Sequence, residues 1–416
     1  MCKDKAIPFA RPFIGPEEEA AVLRVLRSGW LTTGQEALAF EAEFTRFLEG
    51  SNETSPILRS LTVNSATSGL HLALEACGIG AGDLVLVPAY TFVSTAEVVR
   101  YLHGEVVFVD TAPSTFHIDP KALEATLAQL SRGEAAYPKP HSPGSFGPRG
   151  VPKAVIPVHY GGLPCAMDAI MDIARRYGLK VIEDAAHAFP SQLSNGTWAG
   201  TIGDLGVFSF YATKTLTTGE GGMVVSRDPE IASRIALMRS HGIDRSVWNR
   251  YTDTQASWYY AVVAAGYKYN MPDLLAALGR VQLTRAWELL EMRKKIAAAY
   301  DAAFQDEVHF SLPPTGPGDA RHLYPLRLNL ERLSITRDAF IEKIQAAGVG
   351  VSVHFIPLHS MPYYRDRYGL READLPESMG NFQRVISLPL WPGMQDAQVE
   401  RVIQVVKTIA QEHSCA

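Results

Sequence analysis

Apolar runs of strand length alternate with helical patterns between about residues 60 and 240 of this 416-residue chain. A strand predicted at 61–63 is followed by a helical pattern at 70–76, and one at 84–87 by a helix at about 94–101. Further strands are predicted at 106–109, 154–158, 180–183, 206–210 and 222–226, with an amphipathic helix starting at about 168. This alternation predicts an α/β domain with a mostly parallel sheet and helices on both faces.

The pattern changes beyond about residue 310. A strand is predicted at 323–328, a helix at 336–347, a strand at 349–355 and a last helix at 396–412. These elements predict a smaller α+β domain, and we divide the chain into a large domain, 1–290, and a small domain, 291–416. Residues 133–152 interrupt the alternation with Pro, Gly, Ser and charged residues, which is typical of an exposed loop insertion.

Charge and hydropathy exclude several classes of function. The formal net charge of −5 and the isoelectric point near 6.2 provide no basic surface for nucleic acid. No run approaches the roughly 20 apolar residues of a membrane span, and the N-terminus lacks a signal-peptide pattern. We therefore expect a soluble, cytoplasmic protein that binds neither nucleic acid nor membrane.

Cysteine, histidine and glycine patterns argue against a metal site and a dinucleotide site. The four cysteines, Cys2, Cys77, Cys165 and Cys415, are far apart and are predicted to be free thiols. No zinc-type spacing of Cys and His occurs, so we expect no metal. The glycines of 200–206 do not match G-x-G-x-x-G and precede a strand, which disfavours a dehydrogenase.

An amine and a carboxylate are predicted near the ends of two strands, where the fold could bring them to one edge of a sheet. Lys214 follows the run 206–210 and precedes the glycine-rich stretch 219–222, whereas Asp184 ends the run 180–183. A lysine after a strand is usually a solvated surface residue, and an aspartate there also serves as a helix cap, metal ligand or ribose acceptor. Together they match what pyridoxal phosphate requires, a lysine for its aldehyde and an aspartate for its ring nitrogen.

Candidate residues for the cofactor's phosphate and ring lie nearby in the sequence. Thr67 and Ser68 open a predicted helix, where backbone N–H groups favour an anion, although either residue also suits an ordinary N-cap. Ser209 lies five residues before Lys214, close enough for its hydroxyl to reach the phosphate. Tyr90 and Phe92 follow the strand at 84–87, and either could stack on the ring or belong to the core.

These motifs resemble the DegT/StrS-type family of pyridoxal-phosphate sugar aminotransferases over nearly the whole chain. The most specific are Glu183-Asp-Ala-Ala-His187, Phe208-Ser-Phe-Tyr-Ala-Thr-Lys214 with Gly219-Glu-Gly-Gly222, and Gly266-Tyr-Lys-Tyr-Asn270-Met-Pro-Asp273. The last motif, with Val353-His-Phe355 and Tyr363-Tyr-Arg-Asp-Arg-Tyr368, is most similar to the branch that aminates a UDP-4-keto-pentose. The chain departs from the family at Ala66, where glycine is common, and in the insertion at 133–152.

The resemblance implies a fold-type I transferase in which Lys214 forms the Schiff base and Asp184 pairs with the pyridinium nitrogen. It implies these further cofactor contacts: His187 beside the ring, Phe92 stacked on it, Thr67, Ser68 and Ser209 at the phosphate, and Asn270 at the phosphate of the neighbouring subunit. A homodimer follows from the last contact. Family members line the sugar-nucleotide site with the segments that here hold Trp30, Thr33, Lys268 and His354, although packing or surface roles are also open for these side chains.

The implied reaction is transamination of a nucleotide-linked keto sugar, with L-glutamate as donor and pyridoxamine phosphate as the form that carries the amino group. Lys214 would act as general base and acid. Two other functions remain open on the sequence. One is a regulatory protein that binds pyridoxal phosphate without turnover. The other is a fold-related enzyme acting on amino acids, such as an aldolase or a desulfurase, for which Cys165 would be the candidate thiol.

Overall fold

The computed structural model describes residues 6–50, 58–113, 115–134, 150–244 and 260–415. Most of the predicted insertion, 135–149, and Cys2 lie outside these ranges. The strands are β1 Arg59–Val63, β2 Asp83–Pro88, β3 Glu105–Val109, β4 Val151–Val155, β5 Lys180–Asp184, β6 Leu205–Ser209, β7 Gly222–Ser226, β8 Phe310–Ser311, β9 Tyr324–Leu328 and β10 Val385–Leu388. The helices are α1 Pro16–Ser28, α2 Gln35–Glu49, α3 Ala66–Ala76, α4 Ser94–Tyr101, α5 Pro120–Ser131, α6 Met167–Tyr177, α7 Pro229–Met238, α8 Asp273–Thr284, α9 Ala286–Phe304, α10 Arg337–Ala346, α11 Pro362–Tyr368, α12 Pro376–Arg384 and α13 Asp396–Glu412.

Within the described residues, the larger sheet has seven strands in the order β1-β7-β6-β5-β4-β2-β3. The pairings among β3, β2, β4, β5 and β6 are parallel, whereas β7 runs antiparallel to both β6 and β1. The prediction of a mostly parallel mixed sheet flanked by helices is therefore confirmed.

Strand β2 shows why the apolar runs predicted this sheet. Leu84 and Leu86 pack into the core on one face, and Val85 and Val87 pack into the core on the other. A parallel sheet is covered by helices on both faces, so its strands are continuously apolar rather than alternating. The strands predicted for this sheet correspond closely to the observed ones, except that β4 begins and ends three residues earlier than predicted.

Gly69 lets α3 lie directly on the sheet. A Cβ atom at this position would lie 2.8 Å from Val207 of β6 and 3.1 Å from Val224 of β7. These distances are shorter than van der Waals contact, so a larger residue would push the helix away from both strands. The close packing brings the N-terminus of α3 to the ends of the strands that flank Lys214.

A second, antiparallel sheet has the order β10-β9-β8 among the described residues. It packs with α9, α10 and α13 around Tyr300, Phe340 and Val402. The predicted strand at 323–328 and the helices at 336–347 and 396–412 are confirmed within one residue at either end. The domain boundary at 290/291 stays a prediction; it lies within α9, which is continuous through that position.

The predicted strand at 349–355 is wrong. This described segment forms single backbone pairings only, Val349 with Ile7 and Ser352 with Ser387. Pro357, which has no N–H, follows it, and the chain turns there towards the larger sheet, where the N–H of Leu358 donates to the carbonyl of Ala89. None of the described helices has the length and apolar character needed to cross a membrane.

Candidate active site

A cavity of about 420 Å³ lies between the larger sheet and the segments that lead to and from the smaller one. Its wall contains Ala66 at the start of α3, the end of β5, and the loop between β6 and β7. The structure brings the following predicted site residues together in this wall: Lys214, Asp184, His187, Thr67, Phe92, Ser209 and His354.

Asp184 is the last residue of β5 and is only 4% exposed. One carboxylate oxygen accepts a hydrogen bond of 2.9 Å from the hydroxyl of Thr95, and the other accepts one of 3.2 Å from the N–H of Ala186. Burial raises the pKa of Asp184, and these hydrogen bonds and the positive charge of Lys214 oppose that rise. A desolvated carboxylate of this kind is suited to a cationic N–H group inside the cavity.

Glu183 fixes the end of β5 from the opposite face of the strand. Its fully buried carboxylate accepts the backbone N–H groups of Gly200, Ile202 and Gly203 at 2.6 to 2.8 Å. It also lies 2.8 Å from Nε2 of His159, whose Nδ1 accepts the N–H of Cys165, so Nε2 carries the hydrogen. Because successive strand residues point to opposite faces, the network that holds Glu183 also sets the direction of Asp184.

Lys214 lies in the loop that joins β6 to β7. These two strands pair with Ser209 opposite Gly222, so hydrogen-bonded neighbours close the loop at both ends. Burial lowers the pKa of Lys214 to about 8, although the negative charge of Asp184 opposes the effect. The neutral, nucleophilic form of the amine is therefore accessible near physiological pH.

The start of α3 lies at one end of the cavity. The helix is capped by Ser65, which the sequence analysis did not name and whose hydroxyl accepts the N–H of Ser68 at 3.1 Å. The hydroxyl of Ser68 donates to Asn64 within the same turn, and Ser68 is not in the cavity wall, whereas Thr67 and Ser209 are. A Cβ atom on Gly222 would lie 2.8 Å from the N atom of Ala66, so glycine is required for β7 to approach the helix start. The exposed N-terminal N–H groups and the helix dipole favour a phosphate here.

The sequence left open whether Tyr90 and Phe92 stack on the cofactor ring or belong to the core, and the structure places the two residues differently. Phe92 is 55% exposed and forms part of the wall, with its ring 6.0 Å from that of Phe355. Tyr90 is fully buried, and its hydroxyl donates to the carbonyl oxygen of His354 at 2.7 Å. The hydroxyl of Tyr160 donates to the same oxygen at 2.6 Å. Phe92 is thus available to a planar ligand, and Tyr90 holds the segment that carries His354.

Three histidines lie in the wall near Lys214. Nδ1 of His187 accepts the N–H of Gly161 at 3.2 Å, so its Nε2 carries the hydrogen, and Nδ1 of His354 lies 2.9 Å from the hydroxyl of Ser387. The third, His322, was missed by the sequence analysis, and its only signal was a polar residue just before a predicted strand. Burial lowers the pKa of His354 to about 4 and the pKa values of His187 and His322 well below their usual value. All three imidazoles are therefore neutral at physiological pH.

The remaining predicted residues form a separate cluster outside the cavity wall. The amine of Lys268 donates to the amide oxygen of Asn270 at 2.6 Å, and the amide nitrogen of Asn270 donates to the hydroxyl of Thr33 at 2.5 Å. The indole of Trp30 donates to the carbonyl of Thr33 at 3.3 Å. Asp273 fixes this arrangement by accepting backbone N–H groups of residues 34, 36 and 37.

The cavity fits pyridoxal phosphate. It places an amine of lowered pKa, a buried carboxylate, a helix N-terminus and an accessible aromatic ring around one space. These are the groups needed for the cofactor's aldehyde, ring nitrogen, phosphate and ring face. Within the described part of the chain, no three His, Cys, Asp or Glu residues are arranged to hold a metal ion.

Comparisons with known proteins agree with this chemistry. The model of the DegT/DnrJ/EryC1/StrS aminotransferase family matches residues 12–407. The chain is 41% identical to the spore coat polysaccharide biosynthesis protein SpsC of Bacillus subtilis, over 97% of each chain.

Solved structures are also similar. The putative sugar aminotransferase Spr1654 of Streptococcus pneumoniae, in its PMP form, is 28% identical with a TM-score of 0.84, over 98% of this chain and 99% of that chain. Spr1654 has also been solved in a PLP form. DesI, studied in the presence of its TDP-sugar product, is 27% identical with a TM-score of 0.79, over 98% and 93%.

Proposed function

Because this chain belongs to the DegT/DnrJ/EryC1/StrS aminotransferase family, we propose that it transfers the amino group of L-glutamate to the 4-keto group of a nucleotide-linked sugar. The enzyme is a pyridoxal-phosphate-dependent aminotransferase. The observation that carries the proposal is the presence of Lys214 and Asp184 in one cavity beside the N-terminus of α3.

The sugar acceptor is supported by the relatives. Spr1654 is described as a putative sugar aminotransferase, and DesI has been studied in the presence of its TDP-sugar product. SpsC takes part in the biosynthesis of a coat polysaccharide. We therefore propose that the amino-sugar product is used in a glycan, a lipopolysaccharide or an antibiotic sugar.

We assign the roles of the wall residues as follows. Asp184 keeps the ring nitrogen protonated, Thr67 and Ser209 bind the phosphate, and Phe92 and His187 lie against the ring. The bound cofactor supplies an electron sink that makes the α-proton of the amino donor acidic. Lys214 binds the cofactor's aldehyde at rest, and its amine moves that proton between carbon atoms during turnover.

We propose that the cluster of Trp30, Thr33, Lys268 and Asn270 serves the cavity of the partner subunit in a homodimer. The support is its position: these side chains are bonded to one another and none lies in the wall around Lys214. Co-expression of a Lys214→Ala subunit with an Asn270→Ala subunit tests this arrangement. Mixed dimers that contain one intact site should recover part of the activity that each variant lacks alone, and no recovery would contradict a shared site.

The experiment for the proposed function is the visible absorption spectrum of the reconstituted protein before and after L-glutamate, followed by addition of a UDP-linked or TDP-linked 4-keto sugar. Glutamate should convert the lysine-bound cofactor to pyridoxamine phosphate, and the correct keto sugar should restore the first spectrum. Lys214→Ala should show neither change, whereas Lys295→Ala, an exposed lysine paired with Asp396, should behave as the wild type. A cofactor spectrum that glutamate leaves unchanged would contradict the donor, and no cofactor spectrum would contradict the assignment.

A further inference from the structure

His322 is a buried residue of the cavity wall, and one nitrogen of its imidazole has no hydrogen-bond partner among the described residues. The residue is 5% exposed, and its ring centroid lies 4.4 Å from that of His187. Its Nδ1 is buried and has no hydrogen-bond partner among the described residues. Its backbone is fixed, because its N–H donates to the carbonyl of Gly161 at 2.8 Å. Buried polar atoms are almost always hydrogen-bonded, so this nitrogen lacks, among the described residues, the partner that such atoms normally have.

Arg293 places a positive charge directly behind His322. The guanidinium is 2% exposed and donates to the carbonyl oxygens of His322 at 3.2 Å and Leu390 at 3.0 Å, both residues of the cavity wall. Its Nε has no partner, and it pairs with no carboxylate among the described residues. Burial lowers the pKa of Arg293 to about 9. A buried cation without a counterion is unfavourable, and an anion bound beside His322 would compensate it.

The charges already in the wall limit what this part of the cavity can bind. Lys214 is the only lysine or arginine among the described wall residues, and its amine is committed to the cofactor's aldehyde. The phosphate end lies at the start of α3, which packs on the larger sheet, whereas His322 and His354 come from the segments that lead to and from the smaller one. An acidic amino donor brings carboxylates that need N–H donors of their own.

We propose that His322, with His187 and His354 beside it, forms the subsite that binds a carboxylate of the acidic amino donor. This inference rests on the proposed function and names the residue that holds the donor. The imidazoles supply N–H groups, and Arg293 supplies the positive field through its two carbonyl contacts. A sugar hydroxyl would satisfy the nitrogen of His322 but would leave the charge of Arg293 without compensation.

The test separates the two half-reactions. In His322→Phe, the KM for L-glutamate should rise at least tenfold, while the rate of the keto-sugar half-reaction stays within twofold of the wild type. Glutarate, a dicarboxylate that has no amine to react, should bind the cofactor-loaded variant at least tenfold more weakly by calorimetry. His322→Gln, which keeps a hydrogen-bonding side chain, should recover part of both losses. Arg293→Met should weaken glutarate binding more than Arg293→Lys.

His309→Phe is the matched control, because His309 is also buried and its Nδ1 also has no hydrogen bond among the described residues, with the carboxylate of Glu307 3.8 Å away. His309 lies beside the smaller sheet, away from the cavity. It should leave glutarate binding unchanged. An unchanged KM for glutamate and unchanged glutarate affinity in His322→Phe would overturn the proposal, and so would a defect confined to the keto-sugar half-reaction. If His322→Phe does not fold, the KM for glutamate and the glutarate affinity of His322→Gln and Arg293→Met test the proposal instead. A wild type that binds glutarate through His322 but does not transaminate from glutamate would refute the proposed function and leave the subsite standing.

Discussion

Replacing Lys214 with methionine should stabilise the cofactor-free protein at neutral pH, although it removes the amine on which activity depends. Burial lowers the pKa of Lys214 from 10.5 to about 8, so holding the charged ammonium in the folded state is unfavourable. At about 1.4 kcal/mol per pKa unit, the full effect on the free energy of unfolding is about 3 kcal/mol. The cavity admits some water to this half-buried side chain, so we expect about 2 kcal/mol.

The sign of the pH dependence follows from the lowered pKa. Below pH 8 the lysine is charged in both the folded and unfolded states, and the whole penalty is present. Between about pH 8 and 10.5 the folded state loses its proton first, so the stability of the wild type rises towards that of Lys214→Met. The advantage of the variant should therefore be largest at pH 7 and should shrink to the difference in packing by pH 10.5.

Urea unfolding of the cofactor-free proteins at pH 7 and at pH 10.5 measures this difference. Lys295→Met, at an exposed position, shows what the same replacement does away from the cavity. A Lys214→Met variant that is no more stable than the wild type at pH 7, or whose advantage is equal at both pH values, would refute the claim that burial sets the pKa of Lys214.

Two further predictions concern the supports of the site. Each carboxylate oxygen of Glu183 accepts two N–H groups, and Glu183→Gln replaces one of these oxygens with an amide nitrogen. The free energy of unfolding, measured with urea, should therefore fall by about 4 kcal/mol. A loss below about 1 kcal/mol would contradict the hydrogen-bond network around Glu183. Tyr90→Phe and Tyr160→Phe should each lower the free energy of unfolding by about 1 kcal/mol, because the carbonyl oxygen of His354 keeps one hydrogen-bond donor in each single variant. The double variant should lose about 1 kcal/mol more than the sum, since that buried oxygen then has no donor, and strictly additive losses would show that the two phenols act independently.

The larger sheet and the centre of the site were predictable because both depend on local patterns. Residues 84–87 of strand β2 are all apolar and point to both faces of the sheet, so four consecutive residues are enough to predict that the strand is buried. Asp184 ends β5 and Lys214 follows β6, and these strands are neighbours in this sheet. Residues at the carboxyl ends of neighbouring parallel strands meet at one edge. Their roles as cofactor residues stay predictions, but the structure does bring them into one cavity.

The residues that were missed depend on how the smaller sheet docks against the larger one. No periodicity indicates that His322 reaches the ring of His187, or that Arg293 of α9 bonds to two carbonyls of the cavity wall. For the same reason the sequence grouped His354 with Lys268 as substrate residues, whereas the structure places one in the cavity and the other in a separate cluster. These placements follow from long-range packing, which a single sequence does not display.

The antiparallel pairing of β6 with β7 has a consequence for the order in which the protein assembles. The two strands are joined by 12 residues, from Phe210 to Gly221, so the loop that carries Lys214 belongs to the most local pairing of the larger sheet. Asp184 depends instead on parallel neighbours that are separated by crossover connections, and the ordering of such non-local contacts is slow. The loop that carries Lys214 can thus form before the carboxylate of Asp184 is in place. Retention of the cofactor during refolding would then report completion of the whole sheet rather than formation of the lysine's own loop.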